Sequence, residues 1–364
     1  MKRLTALVSL AAIACLCVAS TGLAGAYDVE TVPLLPGGTY SQVLGLSPGG
    51  AAAGASNPGG GQNHALYYNG GAPVECGTLG TWAYGEDVND GGVLVGRSND
   101  GSAEHGIVWD ATNGLRNLSP LLDADRSTAM AVNESNQIAG SRYVGSQTRA
   151  YLYDLDAGTY TTIGSANSYG YGMNELGDVA GRGYFSGTGW FGFVWHADDG
   201  STEILDDGLG GTTYVFDVND SGVAAGHAYD TGGYSQAGYW KDGVFTSVQT
   251  MPVKFSHGMG INNSGAMVGY YYQDGTTYAF VYDGHEMHKL EDLVDGDWRI
   301  TSATAINDAG QIAAYGYGPD GTYGLILTPA ATAVPEPVSM VFFGTGLAGV
   351  AGLIRRRQLH RRAA

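Results

Sequence analysis

Cysteine is scarce in this sequence, which contains 3 cysteines in 364 residues. Two of them, Cys15 and Cys17, lie in the apolar run near the start of the chain. Cys76 is therefore left without an internal partner, so the fold must be held together by packing rather than by disulfides. We expect Cys76 to be a small buried residue in the fourth strand of the first repeat rather than a reactive thiol.

Basic residues are also scarce, with 17 Lys and Arg against 35 Asp and Glu. Seven of the basic residues lie in end segments that we expect to be removed, which leaves 10 basic against 35 acidic residues and a net charge near −25. A surface this acidic repels nucleic acid and anionic lipid. The charge therefore excludes nucleic acid as a partner and limits membrane contact to the C-terminal tail, while polycations and Ca²⁺ stay allowed.

Recognisable catalytic motifs are absent. The sequence has no G-x-S-x-G elbow, no C-x-x-C pair and no sialidase-type S-x-D-x-G-x-T-W box. The stretch His285-Glu286-Met287-His288 spaces its histidines three apart rather than four, in a strand-and-turn context. His64 and His105 are better explained as packed strand residues than as metal ligands. No catalytic residue and no metal ligand is assigned.

One short motif occurs seven times. Its anchor is an Asn that starts a tight turn, usually with Gly three residues later, as in Asn262-Asn263-Ser264-Gly265. This is a hairpin-turn pattern, because Asn and Gly tolerate the left-handed backbone. The anchors are Ser47, Asn89, Asn133, Asn174, Asn219, Asn262 and Asn307. Their spacing of 41 to 45 residues is typical of a four-stranded propeller blade. An apolar strand follows each turn and contains Gly or Ala seven residues after the anchor. We interpret this strand as the innermost strand of the blade, because small residues fit near the propeller axis.

A second motif follows each anchor by roughly 16 to 18 residues, with Gly or Ala at the centre of a triplet such as Tyr278-Ala279-Phe280. The pattern predicts an all-β fold, a propeller of seven four-stranded blades over residues 27–329. A β-sandwich does not repeat a four-strand signature seven times, and β-solenoid repeats are usually shorter. The last repeat lacks a fourth strand, and residues 28–35 read as a strand without a repeat. We therefore expect residues 28–35 to close the last blade.

These repeats resemble the HAF-repeat family of extracellular bacterial proteins, named for a His-Ala-Phe-like triplet. The resemblance covers residues 45 to 327. The Asn-turn half is close to the family pattern, whereas only His64 and His105 keep the His of the triplet. The resemblance implies export and a repeat architecture, and it carries no catalytic residues.

Residues 1–26 have the features of a secretory signal peptide. Lys2 and Arg3 precede an apolar run, and Ala24-Gly25-Ala26 forms an A-x-A cleavage site. Ala24 and Ala26 are thus the expected processing residues. An uncleaved membrane anchor is the alternative, but the run is short for a span. A lipoprotein signal is disfavoured, because the two leader cysteines lie inside the run.

The C-terminal tail carries a second sorting motif. A small-residue linker at 330–337 ends in Pro335-Glu336-Pro337, and residues 338–364 contain an apolar run followed by Arg355-Arg356-Arg357. This resembles the PEP-CTERM sorting signal. The resemblance implies an exosortase-type protease as a partner, which cuts near the triplet and releases or attaches the mature protein. Until then the run would anchor the chain in the inner membrane with its Arg cluster in the cytoplasm. A plain C-terminal anchor is the alternative.

No cofactor is predicted, although structural Ca²⁺ is left open. Carboxylate and amide oxygens suit Ca²⁺, but tight turns need the same residues. The turns concerned are Asn89-Asp90, Asn219-Asp220, Asn307-Asp308 and Asp206-Asp207.

The sequence favours an exported, non-enzymatic propeller that binds or scaffolds extracellular material, with exopolysaccharide as the first candidate and another surface protein as the second. Exposed aromatic rings stack on sugars, although core packing explains most aromatic residues. The aromatic candidates are Tyr169, Tyr171, Tyr270 to Tyr272, Trp190 and Trp195. The alternative is a secreted polysaccharide hydrolase or lyase whose acids meet at the propeller axis. Two acids and a base at the axial mouth would favour the enzyme.

Overall fold

The computed structural model describes residues 25–330, apart from residues 165, 188, 209, 319 and 320. These described residues form 28 β-strands in seven four-stranded antiparallel sheets around a central channel. One parallel bridge between Ser235 and Phe255 links the fifth and sixth sheets. The predicted seven-bladed β-propeller is therefore confirmed.

The chain enters as strand β1 (Tyr27–Thr31) and then builds the blades in order. Blade 1 consists of β2 (Ser41–Leu46), β3 (Ala52–Ser56), β4 (His64–Tyr68) and β5 (Val74–Gly77). Blade 2 consists of β6 (Trp82–Val88), β7 (Leu94–Asn99), β8 (Glu104–Asp110) and β9 (Gly114–Asn117). Blade 3 consists of β10 (Arg126–Val132), β11 (Gln137–Val144), β12 (Gln147–Asp154) and β13 (Thr159–Ile163). Blade 4 consists of β14 (Ser168–Met173), β15 (Val179–Phe185), β16 (Gly189–Trp195) and β17 (Thr202–Leu205).

The second half of the molecule repeats the pattern. Blade 5 consists of β18 (Gly210–Val218), β19 (Ala224–Asp230), β20 (Ser235–Lys241) and β21 (Val244–Ser247). Blade 6 consists of β22 (Phe255–Ile261), β23 (Met267–Gln273), β24 (Thr276–Tyr282) and β25 (Met287–Lys289). Blade 7 consists of β26 (Arg299–Ile306), β27 (Ile312–Gly318), β28 (Gly321–Pro329) and β1. Three short 3₁₀ helices lie between strands, at Pro58–Gly60, Ser119–Leu122 and Leu290–Leu293.

The N-terminal strand closes the ring. Strand β1 pairs antiparallel with β28, with Tyr27 opposite Pro329 and Thr31 opposite Leu325. The closing strand is shorter than the expected 28–35, because Pro33 has no N–H to extend the ladder. After it the chain turns into the first blade, where the Leu35 N–H donates to Ser56 Oγ at 3.1 Å.

Hydrophobic clusters lie between neighbouring blades, one at each of the seven junctions. At the junction where the ring closes, Ile326 of blade 7 packs with Val43 and Leu66 of blade 1. Cys76 is 6% exposed in β5 and belongs to the cluster between blades 1 and 2. Its predicted burial in the fourth strand of the first repeat is confirmed.

The strand before the Asn turn, rather than the strand after it, lines the channel. The lining side chains come from the last residues of β2, β6, β10, β14, β18, β22 and β26. The expectation that the second strand is innermost is therefore wrong. Each inner strand carries a β-bulge near its end.

The small residue seven positions after each anchor lies opposite that bulge. A Cβ at Gly226 would lie 1.9 Å from the backbone oxygen of Tyr214, a separation that atoms in contact do not reach. The same clash, at 1.9 to 2.1 Å, would arise at Gly54, Gly96, Gly140, Gly181 and Gly269. In blade 7 this position is occupied by Ala314, which pairs with Ala303. The glycines are thus needed for a close backbone approach within each blade.

The Gly or Ala of the second motif makes a contact between blades. Its backbone N–H donates to a Ser or Thr hydroxyl six residues before the next anchor, as from Ala237 to Ser256 Oγ at 2.9 Å. Four other junctions have the same bond, namely Gly106 to Ser127, Ala150 to Ser168, Gly192 to Thr213 and Gly324 to Ser41. A larger side chain on the third strand would press on the neighbouring inner strand.

Candidate functional site

The two mouths of the channel differ in chemistry. Each inner strand begins near one mouth and runs to its Asn turn at the other. A strand rises about 3.3 Å per residue, so residues five before and one after the anchor lie about 20 Å apart. We describe first the mouth at the Asn turns and then the opposite mouth.

The repeated Asn side chains each make two kinds of hydrogen bond. Asn219 Oδ1 accepts the backbone N–H groups of Ser221 at 3.1 Å and Val223 at 3.0 Å, which holds its own turn. Asn219 Nδ2 donates to the backbone oxygen of Asn262 in the next blade at 2.9 Å. The same donation, at 3.0 to 3.4 Å, joins Asn89 to Asn133, Asn133 to Asn174, Asn174 to Asn219, Asn262 to Asn307 and Asn307 to Ser47. The amide therefore fastens one blade to the next as well as forming the turn.

Blade 1 departs from this arrangement. Ser47 Oγ accepts the Ala51 N–H at 3.0 Å and so still holds its turn. A hydroxyl is too short to replace the amide donor, and blade 1 reaches blade 2 through the Gly49 N–H, which donates to Asp90 Oδ1 at 2.7 Å.

The residues directly after the anchors form what we call the rim ring: Asp90, Glu134, Glu175, Asp220, Asn263 and Asp308. Each side chain accepts a backbone N–H from the turn of the preceding blade, at 2.7 to 3.0 Å. The donor is the residue directly after the anchor, except for Asp90, which accepts from Gly49 because Pro48 has no N–H. Asn263 Nδ2 also donates to Asp220 Oδ2 and Asp308 Oδ2, both at 2.8 Å. Burial, followed by the charges of Glu134, Asp220 and Asp90, raises the pKa of Glu175. Five carboxylates thus surround this mouth.

The Asp-rich turns considered for Ca²⁺ have another role in the structure. Asp90, Asp220 and Asp308 are members of the rim ring and are engaged with backbone N–H groups. Asp206 lies on a different loop, where its Oδ1 accepts the Asp207 and Gly208 N–H groups. Within residues 25–330, as far as they are described, no three His, Cys, Asp or Glu side chains come close enough together to hold a metal ion.

Two further carboxylates lie on the channel wall, two residues before their anchors. Asp87 Oδ2 accepts the Val132 N–H and Asp217 Oδ2 accepts the Ile261 N–H, both at 2.9 Å and both across a blade junction. Burial raises the pKa of each group to about 7, and the backbone hydrogen bonds oppose the rise. No His or Lys is among the residues that line this channel, so the titratable groups of its described part are carboxylates.

The opposite mouth is aromatic. In each blade, the residue five positions before the anchor lies on the first strand, and the residue eight positions after the anchor lies opposite it on the second strand. Tyr169 is thus opposite Arg182, and Tyr214 is opposite His227. The set of such residues, which we call the aromatic belt, comprises Tyr84, Arg97, Tyr169, Arg182, Tyr214, His227, His257, Tyr270 and Tyr315. Except for buried His227, they are partly exposed.

In blades 4 to 6 the belt is continuous across the junctions. The Arg182 guanidinium lies 3.7 Å from the ring centroid of Tyr214 in the next blade. The His227 and His257 rings are stacked with centroids 3.8 Å apart. His257 Nδ1 is hydrogen-bonded to the Tyr270 hydroxyl at 2.8 Å. Burial lowers the pKa of His257 to about 4, so this imidazole is neutral near pH 7.

Blade 4 adds further rings at the same mouth. Trp190 lies 6.1 Å from Tyr169 and 5.7 Å from Tyr184 between ring centroids. Tyr169 stacks on Tyr171 at 6.4 Å, with an interplanar angle of 8°. Tyr184 is 46% exposed. These rings form a partly exposed aromatic surface on blade 4.

The belt continues in blades 7 and 2, and Tyr40, just before the first strand of blade 1, lies beside its members. Burial, together with neighbouring Tyr315, Tyr84 and Tyr317, raises the pKa of Tyr40. Between blades 6 and 7 lies an open cavity of about 600 Å³. Its walls are Tyr270, Gly275, Thr276, Thr277, Arg299, Thr301, Ser302, Tyr315 and Tyr317. Hydroxyl groups and aromatic faces thus dominate this cavity.

Some of the aromatic candidates named from the sequence lie at this mouth and others do not. Tyr169, Trp190 and Tyr270 are there, and Tyr272 is 47% exposed. Tyr171 lies farther along β14, where it stacks on Tyr169 and lines the channel. Tyr271 and Trp195 are buried in core clusters. Sequence reasoning missed Arg182, His227 and His257. The signal that would have found them is their constant position relative to the anchors.

The histidines discussed from the sequence lie outside both mouths. His105 is 8% exposed, with Nδ1 hydrogen-bonded to Ser119 Oγ at 2.9 Å and Nε2 to Asp100 Oδ2 at 3.0 Å. His64 pairs with Glu75 of the neighbouring outer strand. His288 pairs with Asp283 at 3.1 Å in the turn before β25.

Most of the predicted sorting residues lie outside the described residues. These are Ala24, Pro335, Glu336, Pro337, Arg355, Arg356 and Arg357. Ala26 is described; it is partly buried against the cluster between blades 6 and 7. In the part of the chain that the structure describes, no helix is long and apolar enough to cross a membrane; the expected span at 338–354 falls outside that part.

Comparison with known proteins supports the fold. No protein-family model matches this sequence, and no curated protein matches it. Among solved structures, a chain of the mitotic checkpoint complex is 15% identical with a TM-score of 0.50, covering 89% of this chain and 98% of its own. TolB from Acinetobacter baumannii is 14% identical with a TM-score of 0.44, covering 65% of this chain and 63% of its own. The β-propeller domain of the Trilobed protease from Pyrococcus furiosus is 14% identical with a TM-score of 0.43, covering 69% and 80%. At these identities the likeness concerns the propeller fold alone.

Proposed function

We propose that this chain is an exported, non-enzymatic propeller that binds saccharide chains of extracellular material, exopolysaccharide first, at the aromatic belt. The observation that carries the proposal is the belt itself, a half-exposed row of rings contributed by successive blades around one mouth. Aromatic rings have an apolar face and, in Tyr and Trp, a polar edge. They therefore suit sugar rings, which also combine apolar faces with hydroxyl edges.

The cavity between blades 6 and 7 supports the same function. Its walls carry three Tyr residues and hydroxyl side chains, as described above, and its volume of about 600 Å³ lies in the range of small-molecule sites. Tyr270 and Tyr315 belong to both the belt and the cavity. A saccharide chain following the belt would therefore pass over this cavity.

Export is a part of the proposal that depends on the two terminal sequences. The leader ending at Ala26 would direct the chain across the inner membrane, and the tail with Pro335-Glu336-Pro337 would present it to an exosortase-type protease. The net negative charge would make copies of the protein repel one another and so keep it soluble.

A polysaccharide hydrolase or lyase is the second candidate, and one observation favours it. Asp87 and Asp217 share the channel wall with the rim ring, and their raised pKa values are a property of many acid–base catalysts. Both groups, however, accept backbone N–H groups of the next blade. The proposal assigns them to blade packing.

The test is co-sedimentation of the full-length chain, purified in mild detergent, with the host's own exopolysaccharide. The supernatant is assayed for new reducing ends and for unsaturated uronate, and the binding is repeated with Ca²⁺ and with EDTA. Binding without release of sugar ends supports the proposal. Release of sugar ends refutes it in favour of the enzyme, and absence of binding points to another surface protein as the partner.

Matched variants locate the binding surface. Trp190→Ala and Tyr270→Ala each remove one ring at the mouth, and we expect each to weaken binding about tenfold, since one aromatic contact is worth on the order of 1 kcal/mol beyond its buried area. Tyr160→Ala removes a ring from the outermost strand of blade 3 and serves as the control. Equal loss in all three variants would show that the belt is not the binding surface.

A further inference from the structure

Arg182 is one of the cations of this acidic protein that lack an acidic partner among the described residues, and it lies at the aromatic mouth against Tyr214 and Trp190. Arg97 pairs with Glu86, Arg116 Nη2 lies 2.8 Å from Asp110 Oδ2, and Lys289 Nζ lies 2.6 Å from Glu291 Oε1. Among the described residues, no carboxylate oxygen lies within 4.0 Å of the Arg182 guanidinium. Partly buried charges are usually paired, so an unpaired one at a mouth requires a reason.

The guanidinium is held in place by aromatic rings. It lies 3.7 Å from the centroid of Tyr214 and 4.8 Å from that of Trp190, and Nη1 donates to the Tyr214 hydroxyl. Its Nε is buried and has no hydrogen-bond partner. A ligand cannot reach the buried Nε, but stacking fixes the plane of the terminal nitrogens, and Nη1 gives only one of its two N–H groups to Tyr214. The remaining N–H groups of Nη1 and Nη2 suit a bidentate anion.

The two histidines beside Arg182 do not add positive charge at this mouth near pH 7. The pKa of His227 is lowered to about 2, mainly by burial and in addition by the charges of His257 and Arg182. The stacked imidazoles beside Arg182 are therefore neutral near pH 7 and do not compete for an anion. Burial raises the pKa of Tyr171, and the positive charge of Arg182 partly offsets that rise.

We propose that Arg182 binds the carboxylate of an acidic sugar unit, so that the belt selects acidic saccharides over neutral ones. This inference rests on the proposed saccharide binding. The carboxylate would take the free donors of the guanidinium, while the sugar ring lies against Trp190 and Tyr169. A protein with net charge −18 over its whole sequence repels polyanions in general. Selection of an acidic chain therefore needs a specific cation of this kind.

The experiment measures binding of the full-length chain to an oligomannuronate hexamer and to the same hexamer after reduction of its carboxyl groups, by isothermal titration. For the unaltered protein we expect at least tenfold tighter binding of the acidic form, and a preference that shrinks as salt rises. Arg182→Gln should abolish the preference, and Arg182→Lys should restore it only in part, because ammonium has no planar fork. Arg149→Gln removes the same charge from the third strand of blade 3 and should leave the preference unchanged.

Each outcome decides one of the two proposals. If the unaltered protein binds neither hexamer nor the host polysaccharide, saccharide binding and the role of Arg182 both fail. If it binds the acidic and neutral hexamers equally, or if Arg182→Gln and Arg149→Gln change the preference alike, only the role of Arg182 fails. Melting temperature and near-ultraviolet circular dichroism establish that each variant is folded, and Arg182→Lys provides a second test should Arg182→Gln unfold.

Discussion

Substitution of a single anchor Asn separates its two structural roles. Asn219 is 5% exposed and makes three hydrogen bonds, two to its own turn and one to the Asn262 carbonyl of the next blade. Asn219→Ser copies the natural arrangement at Ser47, which holds its turn but does not reach the neighbouring blade through its side chain. Asn219→Ala removes both roles.

The magnitudes follow from the hydrogen bonds lost. A net hydrogen bond contributes about 1 kcal/mol. Asn219→Ser keeps one of the three bonds, as Ser47 does, so it should lower the free energy of unfolding by about 2 kcal/mol, and Asn219→Ala by about 3 kcal/mol. At roughly 2 °C per kcal/mol for a domain of this size, the melting temperature should fall by about 4 °C and about 6 °C. Asn219→Asp keeps both turn acceptors but places a buried carboxylate against a carbonyl, so its destabilisation should ease as the pH falls and the group becomes protonated.

The assay is differential scanning calorimetry of the three variants, with urea unfolding as a second measure. Asn113→Ala is the control, because Asn113 bonds to Asp110 in an exposed outer turn and touches no other blade; it should lie within about 0.5 kcal/mol of the unaltered protein. If Asn219→Ala is no more destabilising than Asn219→Ser, the turn bonds contribute nothing. If neither variant differs from the control, the amide does not fasten the blades.

Three further predictions concern the ring, the bulges and the channel carboxylates. Deletion of residues 27–31 removes the strand that pairs with β28, so we expect a lower melting temperature and faster limited proteolysis; unchanged resistance would contradict closure by β1. Gly226→Ala should cost about 2–3 kcal/mol, because its Cβ would lie 1.9 Å from a backbone oxygen, whereas Gly71→Ala, with no atom within 4 Å, should be nearly neutral in the same urea assay. Burial raises the pKa of Asp87 and Asp217 to about 7, above the unfolded value near 3.9; their contribution to stability is therefore complete below about pH 4 and is lost as the pH rises to 7. The Asp87→Asn/Asp217→Asn variant should accordingly lose less melting temperature between pH 5 and pH 8 than the unaltered protein, and an equal loss would refute the assignment.

The two mouths offer different surfaces to a partner. Five carboxylates surround the mouth at the Asn turns, and each is engaged with the backbone of a neighbouring blade. The opposite mouth presents rings and an unpaired guanidinium about 20 Å away along the inner strands. A saccharide with acidic units would be repelled by the first mouth and attracted to the second. Binding at the belt therefore also implies a fixed orientation of the propeller on its ligand.

Much of the architecture could be predicted because it is encoded locally and repeated. The spacing of Asn89, Asn133 and the later anchors indicated blades of four strands, and seven copies indicated seven blades. The missing fourth strand of the last repeat and the unpaired strand at the N-terminus predicted the closure, which the pairing of β1 with β28 confirms. Hairpin turns and strand periods depend on neighbouring residues, so a single sequence contains them.

What the tertiary structure alone decided is how neighbouring blades meet. Sequence patterns could not indicate that the strand before the turn is innermost, because apolar and small residues occur on both strands. The roles of Asn219 Nδ2 and of the rim ring depend on residues 43 positions apart, and that of Arg182 on a residue 32 positions away. The packing of one blade on the next brings these residues together. Local patterns determine the blade, whereas the register between blades determines which side chains share a mouth, and that register is set by seven interfaces that no single repeat contains.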